Sequence, residues 1–189
     1  MRVVAGAFKG RKLAGPPGNA VRPTSDKVRE ALFSILGAVD GLRVLDLFAG
    51  TGALGIEALS RGALSAEFVD SDRKALDTVR RNLGATLGED QSPVTVIRAD
   101  ALRFLDAADG DAYELIFVDP PYRDAATLAP SLAAKLPRVL AGGGTVVAEC
   151  DRRAPLLLEE LSQNALALVS ERKYGDTLIR IFSRSDAGG

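Results

Sequence analysis

Asp119-Pro120-Pro121-Tyr122 stands directly after the apolar run Tyr113-Glu114-Leu115-Ile116-Phe117-Val118. A buried strand that ends on a carboxylate, two prolines and an aromatic ring combines parts suited to one task. The prolines fix φ and remove two backbone donors, so the local carbonyls are expected to stay unpaired and open to a ligand. The tyrosine offers a flat face for stacking, and the aspartate accepts hydrogen bonds. Together they can grip a planar group bearing an NH2. Taken alone, the four residues read more readily as a rigid strand exit with a surface tyrosine.

A second constellation lies upstream. Val44-Leu45-Asp46-Leu47-Phe48-Ala49-Gly50-Thr51-Gly52-Ala53-Leu54-Gly55 reads as strand, glycine-rich turn and helix start. Gly50, Gly52 and Gly55 satisfy G-x-G-x-x-G, so a dinucleotide fingerprint, and with it an NAD(P)-dependent oxidoreductase, is the first rival reading. Asp70 ends the next strand, where an acid holds ribose hydroxyls in either cofactor class. Asp46 separates the two. A carboxylate inside the first strand would face a pyrophosphate poorly, but it suits a cationic ligand such as the ammonium and sulfonium end of S-adenosylmethionine. The glycines then serve close backbone approach. Asp100-Ala101 follows the third strand; there the acid can accept from an adenine amino group while the next N–H donates to the ring. The same acid would also cap a helix starting at Ala101. Asp46, Asp70, Asp100 and Asp119 thus close the first four expected strands in order, a regularity not expected of scattered capping acids.

Positioning these acids requires strand and helix to alternate, and from residue 42 the chain does so. Residues 42–48, 66–70, 94–98, 115–119 and 145–149 are short, branched and apolar, as buried parallel strands are. Residues 53–60, 73–87, 101–107 and 125–140 carry helical periodicity, the last disturbed at Pro137. A helix near 155–161 precedes a hairpin of 165–173 and 177–183, turned at Gly175-Asp176. Lys173-Tyr174-Gly175-Asp176 is read as that plain turn, a substrate-side loop being the other reading. The expected class is α/β: a doubly wound, Rossmann-like sheet, mostly parallel with a C-terminal antiparallel hairpin, binding ligands past the carboxyl ends of its strands. Ahead of it, residues 2–5 and 11–13 are expected to pair as a small hairpin turned at Gly10. A loop over 15–19 follows, then a helix capped by Thr24 or Ser25, burying Val28, Ala31, Leu32, Ile35 and Leu36. The division expected is 1–22 as a basic hairpin arm and 23–189 as the main domain, including its N-terminal helix.

The 189 residues, 47% hydrophobic and 26% charged, suit one globular α/β domain. No run approaches the ~18 apolar residues of a membrane span, and the N-terminus lacks the apolar core of a signal peptide. One cysteine, Cys150, excludes an internal disulfide framework and fits a reducing compartment. A soluble cytoplasmic protein is expected, with no membrane partner. The absence of histidine removes Ser-His-Asp hydrolases, Cys-His nucleophile pairs and His-ligated zinc, and no metal is expected. The net charge of -1 conceals an asymmetry: residues 1–25 carry +5 through Arg2, Lys9, Arg11, Lys12 and Arg22, leaving -6 for the rest. A basic arm on an acidic body is the layout expected where one end meets phosphate, though a solvated tail would have the same composition.

The stretch from Val44 to Glu149 resembles the class I S-adenosylmethionine-dependent methyltransferases. Asp119-Pro120-Pro121-Tyr122 is similar to the (Asn/Asp/Ser)-Pro-Pro-(Tyr/Phe/Trp) motif of enzymes that methylate amino nitrogens conjugated to planar systems. Arg22-Pro23-Thr24-Ser25-Asp26-Lys27-Val28-Arg29-Glu30-Ala31-Leu32-Phe33 resembles the N-terminal signature of the RsmD family, and is the specific part of the likeness. The resemblance implies methyl transfer from S-adenosylmethionine to the exocyclic N2 of one guanine, guanine 966, in 16S ribosomal RNA. It implies small-subunit RNA as partner, within an assembled or assembling 30S particle. It makes residues 23–189 a class I methyltransferase domain. Asp119, Pro120, Pro121 and Tyr122 become the catalytic set; Asp46, Phe48, Ala49, Gly50, Gly52, Asp70, Ser71, Asp100, Ala101 and Asp119 hold the cofactor. Arg2, Lys9, Arg11, Lys12, Arg22, Thr24 and Arg123 are the candidate substrate contacts. Within the same chemistry, methylation of adenine N6 or cytosine N4 in DNA, or of glutamine N5 in protein, are the alternatives. DNA enzymes usually add a sequence-reading domain for which this chain has little room, and the glutamine motif normally begins with Asn. A non-catalytic RNA-binding module is the remaining option.

Overall fold

The branched, apolar runs become strands, and what surrounds them decides how far each extends. The computed structural model describes residues 1–15, 25–88, 94–163 and 165–184. Its seven strands alternate with helices, as the α/β class requires. The chain divides into two units, Met1–Asp100 and Ala101–Gly189.

The first unit holds β1 (Arg43–Leu47), β2 (Ser65–Asp70) and β3 (Val94–Arg98) in the order β3-β2-β1, all parallel. The registers pair Asp46 with Phe68 and Asp70 with Arg98. Three helices accompany them: α1 (Asp26–Leu36), α2 (Ala53–Ser60) and α3 (Arg73–Leu87). Every residue of α2 is buried, which its composition, Ala-Leu-Gly-Ile-Glu-Ala-Leu-Ser, permits except at one position. That position is Glu57, fully buried, and it is satisfied on several sides. It accepts from the backbone N–H groups of Val4 (2.7 Å) and Ala5 (2.9 Å), and pairs with Arg61 (2.8 Å) and the buried Arg29 (3.6 Å). Arg29 also holds Asp26 at 2.8 Å and donates to the Arg2 carbonyl. Buried charges persist only as such closed networks; removing one member typically costs about 3–5 kcal/mol.

This network corrects two expectations. The N-terminal hairpin does not form as two strands: one antiparallel bridge, Arg2 to Lys12, joins its arms. The flanking bonds are Val3 N to Arg11 O (3.0 Å), Gly10 N to Val3 O (2.9 Å) and Leu13 N to Met1 O (3.0 Å). The next N–H groups of the first arm, Val4 and Ala5, are taken by Glu57, and farther along Ser60 Oγ accepts from Phe8 N at 3.0 Å. The buried stripe of α1 is also rotated: Arg29, Leu32 and Phe33 are buried and Ile35 is 38% exposed, because Glu57 and Asp26 draw Arg29 inward. Ser25 is the cap, accepting from Val28 N at 3.3 Å; Thr24 and most of the expected 15–19 loop lie outside the described residues.

The second unit holds β4 (Tyr113–Val118), β5 (Leu140–Asp151), β6 (Leu166–Tyr174) and β7 (Thr177–Arg184) in the order β4-β5-β7-β6. β4 and β5 are parallel; β7 is antiparallel to both β5 and β6, and the hairpin turns at Gly175 (φ 63°) as expected. Its helices are α4 (Ala101–Ala107), α5 (Tyr122–Val139) and the single turn α6 (Leu158–Leu161). α5 begins three residues before the expected 125 and runs through both Pro130 and Pro137. The early start comes from Pro121, whose φ of -52° and ψ of 131° suit a cap and whose carbonyl accepts from Asp124 N (2.8 Å) and Ala125 N (3.1 Å). Buried Arg180 ties α6 to the hairpin, meeting Glu159 at 2.6 and 3.0 Å and Glu171 at 3.1 Å. Among the described residues no helix is long and apolar enough to cross a membrane.

Candidate active site

In the first unit the chain leaves β1 through a tight loop. Phe48, Gly50 and Gly52 all have positive φ, at 69°, 56° and 74°. For the glycines this is free; for Phe48 it is a costly, left-handed conformation, held here by its neighbours. Ala49 N donates to Val69 O (2.9 Å), Gly52 N to Ala49 O (2.7 Å) and Asn82 Nδ2 to Thr51 O (2.9 Å). The two acids complete the brace. Asp70 accepts from Gly50 N at 2.9 Å with one oxygen and from Asp72 N at 2.8 Å with the other. Asp46, 3% exposed, accepts from Gly55 N at 3.0 Å. Gly55 has no room for a side chain, since a Cβ there would lie 2.4 Å from Phe68 Cε1. Its absence lets α2 approach β1 and β2 closely enough for that bond to Asp46.

Burial pushes the Asp46 carboxyl from 3.8 up to about 7; the Gly55 N–H opposes this and the nearby Asp70 charge adds to it. A carboxylate so poised is costly to keep ionised unless a cation arrives. Ser71, exposed, follows β2 with its carbonyl 3.3 Å from Arg98 Nε, and Asp100 is exposed at the end of this unit. Asn82, absent from the expected set, is buried on α3 and also bonds both backbone groups of Ala14, at 2.7 and 3.2 Å. Asparagine inside an otherwise amphipathic helix was the only signal.

In the second unit Ala101 is buried at the start of α4. Asp119 is half-buried, Pro120 buried, and Tyr122 sits in the first turn of α5 with half its surface exposed. The Pro121 carbonyl is consumed by α5, so the expectation of unpaired carbonyls fails there; Pro120 lies ahead of that turn. Partial burial, then Glu149 and Asp119, push the Tyr122 hydroxyl above 10.0, with Thr177 opposing by a hydrogen bond and Asp151 adding to the rise. Tyr122 therefore stands among three carboxylates, two of which, Glu149 and Asp151, were not expected. Glu149 closes an expected strand just as the four expected acids do, and that regularity would have found it.

The basic residues of the N-terminal arm are spread over several tasks. Arg2 lies 3.6 Å from Asp26, and Arg11 donates to the Thr86 carbonyl with its guanidinium 5.4 Å over the Phe8 ring. Lys9 and Lys12 are exposed. Arg123 is 87% exposed in the second unit, 3.5 Å from Asp124. Arg22 lies, with Thr24, outside the described residues.

Comparison with known proteins places this arrangement in a family. The family model described as "Conserved hypothetical protein 95" matches residues 1–183. The "Putative rRNA methyltransferase YlbH" of Bacillus subtilis is 43% identical over 189 residues, covering 97% of this chain and 99% of that protein. The "Ribosomal RNA small subunit methyltransferase D" of Haemophilus influenzae is 32% identical over 181 residues, covering 92% and 93%. Among solved structures, the "Putative methyltransferase yhhF from Escherichia coli" superposes with a TM-score of 0.80 at 34% identity, covering 97% of each chain. The chain belongs to the RsmD family of methyltransferases.

Proposed function

We propose that the protein transfers a methyl group from S-adenosylmethionine to the exocyclic N2 of a guanine in small-subunit ribosomal RNA, by family resemblance guanine 966. The observation that carries the reading is the half-exposed Tyr122 ring among Asp119, Glu149 and Asp151, a setting that attracts a planar group rich in N–H donors. The names of the relatives, as rRNA methyltransferases, support the substrate class.

The residues of the first unit fit such a cofactor. A cation would hold buried Asp46 ionised, and beside Gly50 the place of a Cβ meets only the Phe48 carbonyl, at 3.9 Å, so a ligand can approach the backbone. Asp70 would meet ribose hydroxyls with lone pairs left beyond its two backbone bonds, and Asp100 and the Ala101 N–H would meet the adenine edge. The cofactor supplies an electrophilic methyl group on a sulfonium.

An aryl amino nitrogen is a poor nucleophile because its lone pair is delocalised into the ring. The Asp119 carboxylate and the Pro120 carbonyl, accepting from its two N–H bonds, favour a pyramidal nitrogen with a localised pair. Much of the rate then comes from positioning. After transfer the nitrogen carries a strongly acidic proton, so its loss needs no histidine. Tyr122 stacks the base once it is extruded, an interaction worth about 1–3 kcal/mol. A chain of 19.8 kDa offers little surface for reading RNA sequence, which favours an assembled particle, recognised by shape, as substrate.

The test offers labelled methyl donor with small subunits from cells lacking the protein, naked rRNA, and DNA. Label appearing as N2-methylguanine in RNA is expected; label in DNA only would sink the assignment. Calorimetry with S-adenosylhomocysteine against NADH is expected to give heat with the first, and binding of NADH alone would restore the oxidoreductase reading.

A further inference from the structure

The second unit carries cations to which the proposed reaction gives no task. Arg152 and Arg153, both exposed, follow Asp151 at the end of β5. Arg172 and Lys173, also exposed, lead β6 into the turn at Gly175. Asp151, Thr177 and Tyr174 stand opposite one another across β5, β7 and β6, so the β5 exit and the hairpin tip lie at one end of these strands.

The backbone there is tied down. Arg152 N donates to Asp176 O at 2.8 Å, Arg153 N donates to Asp151 Oδ1 at 2.7 Å, and the Arg153 guanidinium lies 3.6 Å from Asp176. The side chains nonetheless face water, Arg153 at 74% and Lys173 at 64% exposure. Directly opposed residues share a face, so Arg172, opposite Ile179, lies on the face of Glu149, Asp151, Thr177 and Tyr174. Glu149, Asp151 and Thr177 are also the neighbours of Tyr122. An acidic surround attracts amino groups but repels phosphates, so a base held at Tyr122 needs cations beyond that rim for the strand on either side of it. Guanidinium forks match phosphate oxygens two at a time.

We propose that the β5 exit and the β6–β7 tip, through Arg152, Arg153 and Arg172, grip the sugar-phosphate backbone flanking the target base. The inference rests on the RNA reading above, and it moves the main backbone contact from the N-terminal arm to the hairpin that the sequence suggests is a plain turn.

The experiment compares wild type with R152E/R153E, using equilibrium binding of labelled naked small-subunit rRNA across a salt series, then methyl transfer to small subunits. Thermal melting and calorimetry with S-adenosylhomocysteine, both expected unchanged, establish folding; R152Q/R153Q replaces the variant if charge reversal disturbs it. Expected are at least tenfold weaker RNA binding, a KM raised to match with kcat within twofold, and a log–log salt slope shallower by about 1.5, as loss of two phosphate contacts requires. Unchanged affinity and slope would overturn the proposal. Weaker binding to assembled subunits alone, with naked rRNA unaffected, would also overturn it, since the partner would then be a ribosomal protein. If wild type methylates no rRNA, the proposed function falls, while the binding series still decides the grip.

Discussion

The two strand exits that carry the candidate chemistry are built on opposite plans. After β1 the acids are engaged by the protein itself: Asp70 with Gly50 and Asp72, Asp46 with Gly55, every bond from a backbone N–H. After β4 the exit turns on two prolines that donate nothing, and its aromatic ring is left half exposed among carboxylates. A braced loop suits a small ligand of constant shape, because it is already ordered when that ligand arrives. An open ring suits a large substrate that brings its own order, since stacking and amino-group contacts form only when a base is present. The difference teaches where mutational damage should fall: on affinity and stability at the first exit, on turnover and substrate binding at the second.

The sharpest break in that contrast is Asp119→Ala. Loss of the acceptor for the amino group is expected to lower kcat on the order of 10²–10³-fold, the scale of one preorganised partner in a transition state, with S-adenosylhomocysteine affinity changed only a few-fold. Full activity in single-turnover assays would remove Asp119 from the chemistry. Next in size is Gly55→Ala, which drives a Cβ against Phe68; a stability loss of about 1–3 kcal/mol in urea unfolding is expected, together with weaker cofactor binding. Tyr122→Ala should raise KM for RNA by an amount equivalent to about 1–3 kcal/mol, whereas Tyr122→Phe should restore most of it. A phenylalanine variant as poor as alanine would assign the role to the hydroxyl rather than the ring.

The pH dependence of Asp46 sharpens the same contrast from the other side. Its folded pKa of about 7 lies above the ordinary 3.8, so between those values the folded state binds the extra proton. Asp46 therefore adds stability to the ligand-free protein below that window, and the contribution is lost as pH rises through about 7. Cofactor affinity should move oppositely, rising with pH up to about 7 as the carboxylate becomes able to meet a cation. Melting temperature and calorimetric affinity, each compared with Asp46→Asn across pH 4 to 8, are the readouts; parallel curves for the two proteins would remove Asp46 from both roles.

Much of this was legible because it is local. The ends of the first three strands, the glycine turn and the hairpin at Gly175 follow from short runs of branched, small or turn-forming residues and stand close to where the pattern puts them, whereas β5, expected at 145–149, runs from Leu140 to Asp151. α5 starts three residues before the expected 125 because Pro121, expected to leave its carbonyl unpaired, serves as a cap. The N-terminal arm was misread for a different reason. The turn at Gly10 suggested a hairpin, but beyond the Arg2–Lys12 bridge Glu57, 53 and 52 residues away from Val4 and Ala5, takes their backbone N–H groups. Nor does any periodicity mark Arg29 as buried; an arginine on a helix reads as solvated until its partners are known.

By itself, then, the sequence determined the order of strands and helices, the acids that close the strands, and the family motif at Asp119 to Tyr122, since each depends on neighbours within a few positions. Only the tertiary structure decided which acids are already bonded by backbone, why Asp46 titrates near 7, how Arg29 and Glu57 close on the arm, and which cations of the hairpin stay in water. Burial and hydrogen-bond partnership are set by groups far apart in the chain, and their energies exist only once folding has brought those groups together.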